Sequence, residues 1–582
     1  MPREAATSEN APGRGRKGRR SGSVAIVKKL APRRDWTTLV TNGPPLPRFA
    51  GRPTVGLLNA NPFGYGIANL GGNCIAKHLL DHEVNVHFAF ADTIEDRRYF
   101  LDAETPPSAC DVLALSIPFE DTYLNALRML DRAGLPVRRS ERSEDDPLVV
   151  MGGMAMINPI PFHDFADVVV VGEGRETLLE IVRARASGAS KDDLLDAVAG
   201  SPGVYVPEHY RIAVDGDGYV EEFACSHGDG LVEANPVLDM TECPIFSVWT
   251  STYACYEQED YFSVMAAMGC HKKCPFCVVG HVQGARSGRA ITMEEDLIVD
   301  LALDRRARYG TNLVKIFFSS AFSPEDGDIQ SHAIKQLLRR LIDKGFSARV
   351  GSLNVRQADD ELFELVSAVG QREVTFAPET VEELRPRLGK AYIRDDKLEE
   401  LAALAGRHGF SLNVYSLGGL PGETDAHTRA YARLLARLRR AIGRGGAMFV
   451  HYNPAFMKAQ TPYQFLGNTR PEEIRRRYAL LRAETAALDV DFVSVIDDPM
   501  VYYQPVLALG DFDSGRVLEH LYRRETVTES DWHDAFRRLG LDDSRYFTAK
   551  DPDRTLPWQH IAYTDQERLR RRARKIVEQV AA

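Results

Sequence analysis

Three cysteines within eight residues constrain this chain more than any other feature: Cys270-His-Lys-Lys-Cys274-Pro-Phe-Cys277. They are spaced C-x3-C-x2-C and follow an apolar run, Tyr261 to Met268, that reads as a strand. Cysteine thiolates are soft ligands, and tight spacing lets one loop wrap a corner of an iron–sulfur cluster. Three ligands rather than four leave one iron of a 4Fe–4S cluster open to an outside ligand. Zinc is the rival reading. A structural zinc site closes four ligands, usually from two cysteine pairs. His271 would be the fourth, but its position next to Cys270 makes the geometry awkward. Three thiols this close are not ordinary core packing.

At 582 residues the chain is too long for one core and should hold two or three domains. Hydrophobic residues are 44% and charged residues 26%, so composition permits a large core. The net charge of −10 argues against a nucleic-acid-coating protein. No apolar stretch has the length of a membrane span, and no secretory signal pattern opens the chain. Eight cysteines, three of them clustered, suit a reducing compartment, so a cytoplasmic location is expected. Residues 1–50, centred on GRGRKGRRSGS, read as a disordered basic arm, with Trp36 to Pro47 as an extended lead-in. Such an arm is a candidate for RNA or membrane contact, and a solvated extension is the plainer reading.

Residues 51–240 alternate apolar runs with helix-forming stretches. Strands are expected at Thr54 to Asn59, Val84 to Phe90, Asp111 to Ser116, Pro147 to Gly153 and Asp167 to Val171. Helices are expected at Asn73 to Asp81, Thr122 to Ala133 and Glu176 to Arg185. This is an α/β pattern for a doubly wound, Rossmann-like parallel sheet, in which ligands bind at the carboxyl ends of the strands. The loops there are Asn59 to Gly72, Ser116 to Asp121, Gly152 to Pro161 and Gly172 to Glu176. GYGIANLGG is not the dinucleotide fingerprint. A bridge follows, with short strands at Val204 and Gly218 around an Asp215-Gly216 turn. Cys243 and Cys255 read as buried thiols rather than ligands.

Residues 241–490 repeat strand–helix units of a (βα) barrel, partial or full. Thr292-Met-Glu-Glu carries a capping-box pattern at the start of a helix running to about Tyr309. Chemistry in such barrels sits at the carboxyl ends of strands. Those ends carry Ser319 and Ser320, Glu379, and the turn Gly418-Gly419-Leu-Pro-Gly-Glu423. The plain alternatives are helix capping for both glutamates and turn formation for the glycines. Lys390, Arg356 and Tyr309 read as long solvated side chains. Residues 491–582 read as a mostly helical extension whose last helix, Asp565 to Val580, is basic and amphipathic.

The cysteine stretch resembles the signature of the radical S-adenosylmethionine (SAM) superfamily, including the aromatic residue before its third cysteine, here Phe276. The resemblance implies a 4Fe–4S cluster on Cys270, Cys274 and Cys277, with SAM chelating the open iron. It implies SAM contacts from Phe276, Ser319, Ser320, Glu379, Gly418, Gly419 and Glu423, with the Glu379 carboxylate on the ribose hydroxyls. The first domain, with its GG-x5-P and VVGEGRET turns, resembles the cobalamin-binding domains of cobalamin-dependent radical SAM enzymes. This implies cobalamin contacts from Asn59, Gly71, Gly72, Ser116, Gly152, Gly153, Asn158, Gly172, Glu173 and Gly174. The D-x-H-x-x-G motif that supplies a histidine to cobalt in many such domains is missing, because Asp81-His82 is followed by Glu83-Val-Asn-Val. Asn453 to Phe465, Ala508 to Asp511 and Asp531 to Ile561 resemble the later segments of the same subgroup.

The resemblance implies a C-methyltransferase acting on a small molecule in antibiotic-type biosynthesis, for example on an aromatic carbon such as that of the tryptophan indole. Methyl would pass from SAM by way of methylcobalamin, and a flavodoxin or ferredoxin would supply electrons. The alternatives are radical chemistry without methyl transfer, RNA modification included, and a cobalamin- or zinc-binding regulatory protein.

Overall fold

The computed structural model describes residues 35–94, 98–237, 239–254, 260–282, 290–317 and 332–581. Strands β1 (Thr54–Asn59), β2 (Asn85–Phe90), β3 (Val112–Ser116), β4 (Leu148–Gly152) and β5 (Val168–Val170) pair in parallel in the order β2-β1-β3-β4-β5. A short β6 (Val204–Tyr205) adds antiparallel at the β5 edge. The strands are apolar and buried on both faces, as parallel strands between two helical layers must be. Leu57, Val112 and Val150 face the helices Leu70–Asp81 and Arg175–Ala186. Their neighbours Leu58, Leu113 and Val149 face the opposite layer, where helix Tyr123–Arg132 lies. The strand order puts the topological switch between β1 and β3, the usual ligand position of a doubly wound sheet.

Three sequence expectations change here. Residues 35–50 are not disordered: Trp36 to Pro47 pack on the body, as expected of a lead-in, and open with a helical turn, Trp36–Leu39, that Asp35 caps, with Trp36 stacked on Phe88 at 4.7 Å between ring centroids. Residues 1–34 lie outside the described residues. Gly71 and Gly72 are not loop residues but the first turn of helix Leu70–Asp81, because the Asn69 side chain accepts from the Gly72 amide at 2.7 Å and caps it. Val204 joins the main sheet, so the hairpin forms instead from β7 (Tyr210–Val214) and β8 (Val220–Cys225), followed by β9 (Val232–Glu233).

The second unit opens with β10 (Phe262–Met265). The chain then turns out of line at β11 (Ala267–Met268), which pairs antiparallel with β12 (Ile291–Thr292). Thr292 is therefore a strand residue and not a helix cap; helix Glu295–Tyr309 starts after Glu294 without a side-chain cap. β13 (Leu313–Phe317) and β14 (Ser347–Val350) follow β10 in one parallel sheet. β15 (Glu373–Glu379), β16 (Ser411–Gly418), β17 (Met448–Pro454) and β18 (Asp491–Ser494) form a second. These seven parallel strands, joined by helices, make a partial barrel among the described residues. The ladder is interrupted between β14 and β15, and a side chain stitches it. Val350 N donates to Gln371 Oε1 at 2.8 Å, while Gln371 Nε2 donates to the carbonyls of Val350 and Glu373 at 3.3 and 2.7 Å.

Residues after 490 do not form a separate extension. β18 completes the barrel sheet, and helices Met500–Ala508, Phe512–Leu521 and Glu529–Leu539 cover the second face of the first sheet through Val506, Leu518 and Trp532. β19 (Ile561–Ala562) pairs in parallel with β9. The segment Asn453 to Phe465 ties all parts together. Gln460 Nε2 donates to the carbonyls of Ile157 and Ile561 at 3.3 and 2.9 Å, and Tyr463 N donates to Pro275 O at 3.2 Å. The last helix, Gln566–Ala581, buries Ala573 and Ile576 against this segment.

Two buried histidines lie in the seam between the first domain and the C-terminal residues. His163 Nδ1 meets Tyr205 Oη at 2.7 Å, and the His560 ring packs on Tyr205 with centroids 5.2 Å apart. Burial holds His163 down at about 3 and His560 at about 4. The unfolded chain binds more protons below the ordinary imidazole value of about 6.5, so stability is expected to fall as pH drops from there toward 4. A tenfold difference in proton affinity is worth about 1.4 kcal/mol, so the two histidines together account for several kcal/mol at pH 4. Thermal unfolding between pH 7 and 4.5 checks this. A His163→Phe, His560→Phe double variant should lose much of the pH-dependent drop, and an unchanged drop would contradict the assignment.

Candidate active site

The cysteine loop follows β11, where the chain leaves the barrel strand. It is shaped by left-handed backbone at Gly269 (φ +80°) and Lys273 (φ +45°), and closed by Cys277 N donating to Cys274 O at 3.0 Å. The helical turn Val279–Val282 lies close against it. A Cβ on Gly280 would sit 2.8 Å from Lys273 Cα, so only glycine fits there. Cys274 is buried and Cys270 and Cys277 are partly so. Burial pushes the Cys274 thiol up to about 12, with the other two sulfurs adding to the rise and Lys390 opposing it. Burial likewise raises Cys277. Such thiols ionise only against a strong positive charge, which a metal centre supplies.

Beside this loop, at the carboxyl end of β15, Glu379 sits in left-handed backbone (φ +64°), where a bulge interrupts pairing with β16. A non-glycine residue in that conformation costs about 1–3 kcal/mol, and such strain concentrates at functional positions. The Glu379 carboxylate is buried and accepts from Lys390 Nζ at 2.7 Å through Oε1. Burial raises its pKa, and Lys390 pulls the other way. Lys390 also donates to Ala377 O at 2.7 Å and lies 5.8 Å from the Phe276 ring centroid. One buried lysine thus touches the strand-end carboxylate and approaches the aromatic residue of the cysteine loop. Glu423 is occupied differently. Its Oε2 accepts from Gly419 N at 2.8 Å, Leu420 N at 3.2 Å and Arg477 Nη1 at 3.2 Å, so it fastens its own turn. Gly418 is fixed by sterics, since a Cβ there would overlap the Tyr452 hydroxyl.

A cleft open to solvent lies at the carboxyl ends of β1, β3, β4 and β5. Gly71, Ser116, Gly152, Gly153, Gly172, Glu173 and Gly174 line one side; Ile245, from the stretch before β10, and Met265 and Met268 line the other. An adjoining cavity shares Gly153, Met154, Gly172, Glu173 and Met268 and reaches Val282. Met268 and Val282 flank the cysteine loop in sequence. Asn59 and Gly72 line a smaller cavity beside the cleft, which shares Ser116. Asn158 is elsewhere. Its Nδ2 donates to Gly510 O at 2.8 Å and its Oδ1 accepts from Ile160 N at 3.2 Å, so it is a buried bracket to the C-terminal helices and not a cleft residue.

The family model of the radical SAM superfamily matches residues 266–435, and that of radical SAM proteins, N-terminal, matches residues 91–207. Residues 266–435 thus carry a radical SAM domain. No curated protein matches the sequence. Among solved structures, the radical SAM methyltransferase TsrM from Kitasatospora setae, with cobalamin and a 4Fe–4S cluster bound, aligns with a TM-score of 0.50. Its identity is 15%, over 90% of this chain and 99% of that one. The cobalamin-dependent SAM radical enzyme OxsB, with aqua-cobalamin bound, aligns with a TM-score of 0.48 and 12% identity over 91% and 80%. The likeness to TsrM is one of fold, and it spans nearly all of this chain.

Cys270, Cys274 and Cys277 lie within the matched domain and fit the family's cluster, and Phe276 and Glu379 stand beside them. Ser319 and Ser320 lie outside the described residues, as does Cys255. Arg356 stacks on the Tyr392 ring at 4.9 Å, and Tyr309 packs under Arg305 at 4.5 Å. Lys390, which the sequence suggests is solvated, is instead buried at the site. Cys74, Arg175 and the methionines 154, 265 and 268 line the cleft without a sequence signal of their own. Only Lys390 carried one: it follows a glycine within an Arg-Leu-Gly-Lys stretch just past a strand-end carboxylate.

Proposed function

We propose that this protein is a cobalamin-dependent radical SAM methyltransferase acting on a small molecule. The observation that carries the reading is the pair of adjoining cavities between the carboxyl edge of the first sheet and Met268 and Val282, the residues that flank the cysteine loop. Five glycines on its first-domain wall (71, 152, 153, 172 and 174) keep that wall low, so a broad flat ring can lie against backbone. Leu57, Ala114, Val150 and Val170 make its floor apolar, which suits a corrin face. TsrM, whose fold spans nearly all of this chain, holds cobalamin, which supports the same ligand here.

When bound, the cluster supplies electrons to SAM and cobalamin carries the methyl group. The chain's own residues do the holding. Cys270, Cys274 and Cys277 would hold the cluster and leave room beside it for SAM. Glu379 Oε2, which no described residue engages, accepts the ribose hydroxyls, while Lys390 keeps that carboxylate ionised inside the protein. The cleft holds the reacting groups in line and excludes water. An electron donor such as a flavodoxin or ferredoxin completes the system. Seven free cysteines among the described residues support a reducing, cytoplasmic setting. No described helix is long and apolar enough to cross a membrane.

The test is anaerobic purification with iron, sulfide and cobalamin analysis, then incubation with methyl-labelled SAM and candidate substrates. Tryptophan, with its electron-rich indole carbons, is the first to try. About four irons and one cobalamin per chain are expected, followed by label in a product. A reconstituted cluster that never takes up cobalamin would move the reading to radical chemistry without methyl transfer.

A further inference from the structure

Outside the cleft, three side chains from three elements converge. Asp196 is on helix Lys191–Val198, His209 in the turn before β7, and His227 just past β8. Asp196 Oδ1 lies 3.5 Å from His209 Nε2 and 3.4 Å from His227 Nε2. All three donor atoms are within 4.8 Å of one another, and the imidazole centroids are 4.0 Å apart. On the other side of the rings, both Nδ1 atoms lie 3.1 Å from one hydroxyl, Ser226 Oγ.

Proton bookkeeping makes this arrangement hard to satisfy without a cation. A serine hydroxyl has one proton and two lone pairs. It serves both rings at once when each Nδ1 carries a proton and donates to it. Each neutral ring then turns a bare Nε2 lone pair toward a carboxylate oxygen, which repels it. A mixed arrangement, with Ser226 donating to one ring, still leaves a bare Nε2 on the other. If instead both rings were charged and donated Nε2–H to Asp196, the contacts would close to about 2.7–2.9 Å. They are longer, and His209 Nε2, on a side chain only 9% exposed, has no hydrogen-bond partner.

A metal ion between the three groups resolves the conflict. Ligand atoms about 2.0–2.2 Å from a tetrahedral zinc lie roughly 3.3–3.5 Å from one another, the spacing seen on both edges to Asp196. We infer that Asp196, His209 and His227 form a site for a divalent transition-metal ion of the zinc class, with Ser226 holding both imidazoles in the ligating tautomer. Outer hydrogen bonds of this kind orient metal-bound histidines. The β8 strand of the hairpin is largely solvent-exposed. The ion pins both ends of the hairpin to the helix carrying Asp196. The fourth position opens to solvent beside Asp196, whose side chain is 62% exposed.

The test is Zn²⁺ titration of the full, cluster-loaded chain after chelator treatment, in competition with a chromophoric chelator. One zinc per chain is expected, retained when Cys270, Cys274 and Cys277 are all replaced by alanine. His209→Ala and His227→Ala should bind at least tenfold more weakly, and Ser226→Ala about 10–100-fold more weakly. Asp196→Asn, at an exposed position, guards against a variant that merely misfolds: zinc should raise the Tm of the parent and not of this variant. Unchanged zinc affinity in His209→Ala, or zinc lost with the three cysteines instead, overturns the proposal. Because the readout is zinc and not methyl transfer, its outcome is independent of the function proposed above.

Discussion

Replacing Cys270, Cys274 or Cys277 singly with alanine is expected to leave a folded chain without an intact cluster. SAM-dependent turnover should fall by about three orders of magnitude or more, which is about 4 kcal/mol of barrier. The three sulfurs act as one unit on one loop, and groups that act as a unit are not additive. The triple variant should therefore be no worse than any single one. Stability behaves differently. Cys274 is buried and its loss leaves a small void, but no described hydrogen bond depends on its sulfur, so a cost of about 1 kcal/mol is expected. The measurements are iron per chain, the visible spectrum and thermal unfolding, taken together. A single-cysteine variant with full iron and turnover would remove that residue from the ligand set.

The parts of this fold that were legible in the sequence are those set by short-range rules. Runs such as Val112-Leu-Ala-Leu-Ser116 and Glu373-Val-Thr-Phe-Ala-Pro-Glu379 are apolar, bounded by polar or glycine residues, and form strands at nearly the expected bounds. The cysteine loop was legible because its chemistry needs three particular residues at close spacing. What was not legible depends on distant partners. Lys390 reads as solvated because most lysines are, yet its charge is buried against Glu379. Nothing around Gln371 in the sequence points to its role, in which its amide replaces a backbone ladder between β14 and β15. The C-terminal helices read as an extension, because nothing local says that one face of the first sheet lacks enough helices of its own. Thr292 shows a local rule overridden: its capping pattern is correct, but pairing with Ala267 draws it into a strand. Asp196, His209 and His227 carry no spacing signature, since they meet only where the two ends of the hairpin pack beside helix Lys191–Val198.

Lys390→Met is expected to destabilise the protein by about 3–5 kcal/mol, the cost of leaving one member of a buried ion pair without its partner. Both side chains are about one-tenth exposed, so solvent does little to screen the loss. Burial opposes the charge of Lys390, but Glu379 and the Cys274 sulfur more than offset it and keep its pKa above the ordinary lysine value. Without Lys390, burial alone acts on Glu379, which takes up a proton and stops accepting from ribose hydroxyls. SAM affinity should then fall together with stability. Glu379→Gln strands the lysine charge instead and should cost a similar amount. The double variant removes both charges and should recover most of the lost stability, since a buried pair replaced as a whole is often close to neutral. It should not recover SAM binding. A charge-assisted hydrogen bond is worth about 1.5–3 kcal/mol, so SAM should bind the Glu379→Gln and double variants about 10–100-fold more weakly than the parent. The cycle separates two roles by two readouts, with thermal unfolding reporting the pair and equilibrium SAM binding reporting the carboxylate. If the double variant regained both stability and SAM affinity, Glu379 would be a structural residue held in its strained conformation for packing alone, and the ribose would need another partner.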